Sequence, residues 1–341
     1  MWQVIECSGH PRDLGYQQGL ALRAPIRQCA EQAGLSTRRS RWPSLAAFTS
    51  GSMRGSGSAR EMIRHFTHLA ERADGLARGA EIPLDSLLRL QELAAPGKSD
   101  GWALCAADLG DSAGVSLSLS LAESSGLVRR SLPEVGFASL EVTSPWQVSA
   151  WGGVNEAGLA ACIVPDAAQG MPPLDEPDPP APAAAPIQLF VQECLQRFED
   201  VEAGIGWCMD RPAAGKGTIV LGDAAGHRGA IRFAGGSRSP EQGQGGPLVA
   251  GNSEAILDAL RAWALAEARK EDGPPSAPPS VSLSASLSAS LGGAHPPASL
   301  HLACGQRQFE IRQGAAEQRV LALRADGAPA APDGAVEMSG D

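Results

Sequence analysis

The chain has 341 residues, 43% of them hydrophobic and only 4% aromatic, and a formal net charge of −10 at pH 7. It is long enough for one large domain or two small ones with a sizeable core, and its acidic balance argues against a general nucleic-acid binder, which needs a basic stripe. Seven cysteines, an odd number with none at metal-ligand spacing, argue against a zinc cluster and a disulfide framework, and no apolar run approaches the length of a membrane span.

The N-terminus, Met1-Trp2-Gln3-Val4-Ile5-Glu6, has no basic region ahead of an apolar run and does not read as a signal peptide. Reduced cysteines and a cytoplasmic location are therefore expected. Residues 2–7 are predicted as a strand, followed by a turn at Ser8-Gly9-His10-Pro11. A helix is predicted over 12–33, with Leu14, Ala21, Leu22, Ile26 and Cys29 near one face. Gly15 and Gly19 on it are spaced to let another backbone approach closely. A Ser/Arg/Gly-rich stretch, 36–58, reads as loop with a short helix. A second long helix is predicted over 59–78, carrying Met62, Ile63, Phe66, Leu69 and Ala73 at helical spacing, and a third begins near Leu84 with Leu87, Leu88, Leu90 and Leu93. His65 and His68 stand three apart on the second; without a further ligand in place they read as surface residues, not a metal site.

A hairpin then forms the centre of the chain. Residues 102–109 are apolar but for Asp108, Gly110-Asp111-Ser112-Ala113-Gly114 is turn chemistry, and 115–121 alternate Val, Ser, Leu, Ser, Leu, Ser, Leu. Residues 127–132 and 135–142 are predicted as a second hairpin across Pro133-Glu134. A strand at 148–151 leads into strand, tight turn at 155–158, and strand to 164. Residues 166–186 are dense in Pro and Ala and read as a loop or disordered insert. Helices follow at 186–198 and 201–209, then a hairpin over 218–221 and 229–233. A strand at 247–251 ends on Asn252-Ser253, and a helix is predicted over 254–270. Residues 271–297 are a low-complexity insert. Strands at 299–304, 308–312 and 318–324 precede a disordered tail, 325–341. The expected organisation is a single domain, 1–324, with a mostly helical part (1–98) and a sheet-rich part (99–324), and helices covering both outer faces of a two-sheet sandwich.

Several stretches, taken in order, resemble one family. Glu6-Cys7-Ser8-Gly9-His10-Pro11-Arg12-Asp13-Leu14-Gly15-Tyr16-Gln17-Gln18-Gly19 is similar to the opening signature of the acyl-coenzyme A:6-aminopenicillanate acyltransferase (isopenicillin-N acyltransferase) family of N-terminal-nucleophile hydrolases. Ile82-Pro83-Leu84-Asp85-Ser86-Leu87-Leu88-Arg89-Leu90-Gln91 resembles its third helix. Gly153-Val154-Asn155-Glu156-Ala157-Gly158-Leu159 resembles its glycine-turn hairpin, and Val249-Ala250-Gly251-Asn252-Ser253 the strand that ends in an Asn-His pair. The resemblance covers about residues 2–324 and implies an α+β fold, a four-layer αββα sandwich.

In that family a Cys follows Asp-Gly at the start of the hairpin. The precursor cuts itself before this Cys, and the freed α-amino group serves as base for the thiol, which attacks an amide or thioester. Here Asp100-Gly101 is followed by Trp102. Ser118 or Ser120 stands where the returning strand should bring Asn and Asp, Ser253 replaces the His, and an arginine expected near Gln192 is missing. Asn252, an oxyanion donor in the family, remains. The resemblance therefore implies a degenerate site. The expected function is a pseudoenzyme that binds a small acylated amine or peptide through a pocket near Ser118, Ser120 and Ser253, or pairs with itself or an active homologue. No cofactor, metal, nucleic acid or membrane is implied. The alternative is a working amide hydrolase or N-acyltransferase with Cys105 as nucleophile. Strand parity opposes it, because an odd offset from residue 102 puts Cys105 on the other face; as a strand residue, Cys105 then acts as a small hydrophobe.

Overall fold

The computed structural model describes residues 3–38, 62, 64–93, 103–108, 115–121, 127–165, 185–234, 236–242, 248–251, 298–313 and 317–322. The first strand, β1 (Gln3–Gly9), ends at Gly9, whose φ of +103° suits glycine, and α1 (Pro11–Ala21) starts on a proline, which lacks only an N–H that the first turn leaves unpaired. The single helix expected over 12–33 is two helices. The chain breaks at Leu22, and α2 runs Arg23–Gln32. Pro25 explains the break: it has no N–H for the carbonyl of Ala21, and its ring is tolerated only in a first turn.

Met62 and residues 64–65 are helical, and Phe66 interrupts before α3 (Thr67–Ala80). The next helix, α4, spans Leu84–Leu93. α1 and α3 cross backbone to backbone. A Cβ on Gly15 would lie 1.9 Å from the carbonyl oxygen of Arg72, and one on Gly75 would lie 2.0 Å from that of Arg12. Gly19 and Gly79 repeat this a turn further on, so the close approach expected of Gly15 and Gly19 is observed, with α3 as the neighbour.

Among the described residues the strands form two large sheets and a two-stranded one. The sheet of eight follows the order β1, β4 (Leu127–Pro133), β5 (Ser139–Thr143), β6 (Gly152–Asn155), β7 (Ala160–Pro165), β10 (Lys216–Gly222), β11 (Arg228–Ala234), β12 (Ser237–Gln242). The sheet of six follows β13 (Leu248–Gly251), β2 (Ala103–Asp108), β3 (Val115–Leu121), β14 (Ala298–Ala303), β15 (Gln308–Gln313), β16 (Glu317–Ala322). Every pairing in these two sheets is antiparallel except β1 with β4. The sheets face each other, β6, β7 and β10 lying against strands of the six-stranded sheet. On the other side of the eight-stranded sheet lie α1, α5 (Gln188–Arg197) and α6 (Val201–Asp210). Covered on both faces, β5 is buried at all five positions. The architecture is an α+β sandwich. The helix expected over 254–270, the bulk of both inserts and the tail lie outside the described residues.

Three segments differ from expectation. Residues 148–151 are not a strand: the carbonyls of Gln147 and Val148 accept from the Arg129 guanidinium instead of joining a ladder. The expected strand over 135–142 begins only at Ser139, because Phe137 donates its N–H to the carbonyl of Gln196 at the end of α5. Ala185 and Pro186, placed in a loop, form β8 and pair with β9 (Ala213–Ala214). The sequence reading also missed the edge strand β12, whose Pro240 is tolerated at an edge position.

Candidate functional site

The central hairpin, β2 and β3, lies inside the six-stranded sheet, flanked by β13 and β14. Its alternation sets two kinds of register row. Leu117 pairs with Ala106 on one side and with Leu302 on the other, and Leu302 is fully buried in the core shared with the eight-stranded sheet. The neighbouring row is mixed, with its polar residues at the centre. Cys105 pairs with Val249 and Ser118, Ser118 with His301, and His301 with Glu310. The register thus brings Cys105 and Ser118 together as cross-strand neighbours, in a row of opposite parity to that of Leu302. Ser120 pairs with Ser299. His301 and Glu310 were not singled out from the sequence, because nothing local to either reveals that Ser118 is a neighbour.

Gly251 pairs with Ala103 at the end of β2. Trp102 and Asn252 are each one peptide bond from that pair. Trp102, Asn252 and Ser253 lie outside the described residues. His65 is exposed, and His68 pairs with the buried Glu193 at 2.5 Å. No group of metal ligands occurs among the described residues.

A second polar cluster, also missed from the sequence, is sealed between the helices and the eight-stranded sheet. Arg129 on β4 stands directly opposite Glu141 on β5, and both are fully buried. The Arg129 Nε donates to Glu141 Oε2 at 2.6 Å, Nη1 donates to Gln18 Oε1 and the Gln147 carbonyl, and Nη2 donates to the Val148 carbonyl and Gln192 Oε1. Glu141 also accepts from Ser131, Ser139 and Gln192. Burial pulls its carboxyl pKa up, but Arg129, then Arg72, and the bonds from Gln192 and Ser139 outweigh that and hold it below the usual value. Gln192, near which an arginine was expected, is thus met by an arginine from a strand. The cluster ties α1 and α5 to β4 and β5 with matched donors and acceptors, an arrangement that holds layers together.

Cys7, Cys162, Cys194, Cys208 and Cys304 are buried and unbridged. Burial pushes the Cys7 thiol up, against the pull of Arg72 and Arg129, and pushes that of Cys162 up further. The Cys194 and Cys208 sulfurs sit 3.7 Å apart in contact, and this bond and burial together raise Cys194.

The glycine-turn hairpin has the expected form. Gly158 has φ +94°, and Asn155 fixes the turn by accepting from the Leu159 N–H and donating to the carbonyls of Leu195 and Phe198.

No family model matches the chain. No curated protein matches it either. Among solved structures the chain is similar to penicillin V acylase from Agrobacterium tumefaciens, at 17% identity over 64% of this chain and 84% of that one, with a TM-score of 0.42. It is similar to a variant of conjugated bile acid hydrolase from Clostridium perfringens, at 8% identity over 66% and 94%, with a TM-score of 0.45. It is similar also to the Caenorhabditis elegans ortholog of N-acylethanolamine-hydrolyzing acid amidase, at 9% identity over 60% and 93%, with a TM-score of 0.44.

Proposed function

We propose that the chain is a sandwich of the N-terminal-nucleophile hydrolase type that has lost self-processing and amide hydrolysis. It serves instead as a binding protein for a small acylated amine or peptide, or as the partner of an active homologue. The observation that carries this reading is Trp102. It follows Asp100-Gly101, the residues after which the resembled family cuts, and leads directly into β2, a strand inside the six-stranded sheet. An indole neither attacks a carbonyl nor supplies a thiol that a freed α-amine could activate. Asn252, which follows Gly251 in the sequence, is the one oxyanion donor of the resembled family that this chain keeps.

The competing reading keeps amide hydrolysis and gives it to Cys105. Its support is that the register row of Cys105 also holds Ser118 and His301. Its weakness is parity: that row alternates with the row of Leu302, which is buried against the facing sheet.

Intact mass and an amide-hydrolysis assay on the full-length chain separate the two. One uncut chain, no turnover, and no turnover in Trp102→Cys are expected, because Ser118, Ser120 and Ser253 stand where the family has donors and acids. Fragments meeting at Gly101/Trp102 or Leu104/Cys105 would overturn the proposal. So would wild-type hydrolysis that disappears in Cys105→Ala.

A further inference from the structure

We propose that Arg72 carries a binding site for one small monovalent anion of the halide class, sealed between α3 and the eight-stranded sheet. The argument starts from charge. The buried cluster holds two guanidinium groups, Arg72 and Arg129, and one carboxylate, Glu141, with the Cys7 thiol beside them. Glu141 is already committed. Its two oxygens take four bonds, from Arg129, Ser131, Ser139 and Gln192. Arg129 is saturated in turn, its five bonds going to Glu141, two glutamine side chains and two carbonyls. Among the described residues one positive charge is left over, and it belongs to Arg72.

Arg72 is 1% exposed. Its Nη2 donates to Ser131 Oγ at 3.0 Å, while Nε and Nη1 have no hydrogen-bond partner among the described residues. An unpaired buried cation with free N–H groups is among the costliest arrangements in a protein interior. Proton loss does not remove it at neutral pH. Burial, and then Arg129, lower the guanidinium pKa, but only to about 10. The Cys7 thiol does not supply the counter-charge, because burial raises it.

An anion against the free N–H groups gains a charge-assisted bond and neutralises the cluster. The excess is a single charge, so a monoanion balances it and a dianion reverses it. This inference is independent of whether any catalysis survives.

The test uses the full-length protein with halide alone as the probe. Thermal melts in sodium chloride and in sodium gluconate at matched ionic strength and neutral pH are compared. Chloride is expected to raise the midpoint saturably by about 3 °C over gluconate, bromide to act likewise, and Arg72→Met to erase the difference. Wild-type crystals grown in bromide, which need no variant, are expected to show anomalous scattering against Nε or Nη1 of Arg72. Equal wild-type midpoints in the two salts, a chloride effect that persists in Arg72→Met, or ordinary water density at that guanidinium would each overturn the site.

Discussion

Glu141→Gln tests whether the buried cluster holds the helices to the sheet. The substitution keeps the volume and removes the one carboxylate that faces two buried guanidinium groups. Glu141 accepts four bonds, and two of them, from Arg129 Nε and Gln192 Nε2, come from groups that can only donate. An amide offers a single oxygen, so at least one of those donors loses its acceptor or faces an N–H. Breaking a buried ion pair from one side costs about 3–5 kcal/mol, since the partner charge stays behind. For a domain of this size that corresponds to a fall in melting temperature of roughly 4–7 °C.

The control is the double variant Arg129→Met/Glu141→Leu, which removes both charges together. Apolar replacement of an isolated buried pair is often nearly neutral, but here it leaves the Gln147 and Val148 carbonyls without their donor and Arg72 without its carboxylate, so the double variant is expected to melt no higher than Glu141→Gln. Differential scanning calorimetry on the three proteins decides the matter. A Glu141→Gln midpoint within about 2 °C of wild type would mean that the cluster is solvated, and the ledger of donors and acceptors above would be wrong.

The same carboxylate sets a pH dependence. Its folded pKa lies below its ordinary value of 4.5. The stabilisation it contributes is therefore complete above that value and is lost as pH falls through the folded pKa. Melting temperature should fall off in acid below about pH 4.5, with a shallower fall in Glu141→Gln. Gly75→Ala should destabilise, although alanine is the better helix former by about 1 kcal/mol, because its Cβ would meet the Arg12 carbonyl at 2.0 Å; a higher midpoint would refute the close crossing of α1 and α3. Asn155→Ala should cost about 2–3 kcal/mol in urea unfolding, because it strips a donor from two carbonyls and the acceptor from the Leu159 N–H. No change would mean that the turn closes without its side-chain clamp. Deleting residues 274–296 should shift the melting temperature little, and loss of soluble protein would show that the Pro-rich insert belongs to the core.

What could be read from the sequence was local. The alternation of residues 115–121 gives a strand with one apolar face wherever it sits, and its partner Leu302 confirms that face by burial. Asn155 to Gly158 gives a tight turn because glycine alone adopts φ near +94° there without strain. The failures came where a distant group claimed a backbone atom. Residues 148–151 have the composition of a strand, yet two of the nearby carbonyls belong to a guanidinium 18 and 19 residues upstream. The break in the first helix, by contrast, is legible from Pro25 alone, because its effect on the preceding turn needs no tertiary information.

The buried cluster had a signal in the sequence as well, in the conflict between two readings. Leu127-Val128-Arg129-Arg130-Ser131-Leu132 reads as an ordinary strand, while the expected fold places helices on the outer faces of the sheets. A strand covered on both faces has no solvent to offer an arginine. Arg129 and Glu141, near the middles of consecutive strands, then have to neutralise each other, and antiparallel pairing puts them face to face. Arg72 gives no such warning, because a helix ordinarily turns an arginine to water. Its burial follows from the glycine crossing: Gly15 packs on the Arg72 carbonyl itself, which pins that stretch of α3 against α1, and at 1% exposure the guanidinium is enclosed beside Ser131 on β4. The close approach that two small residues permit is thus what strands a charge in the interior, and whatever neutralises that charge is built into the fold along with it.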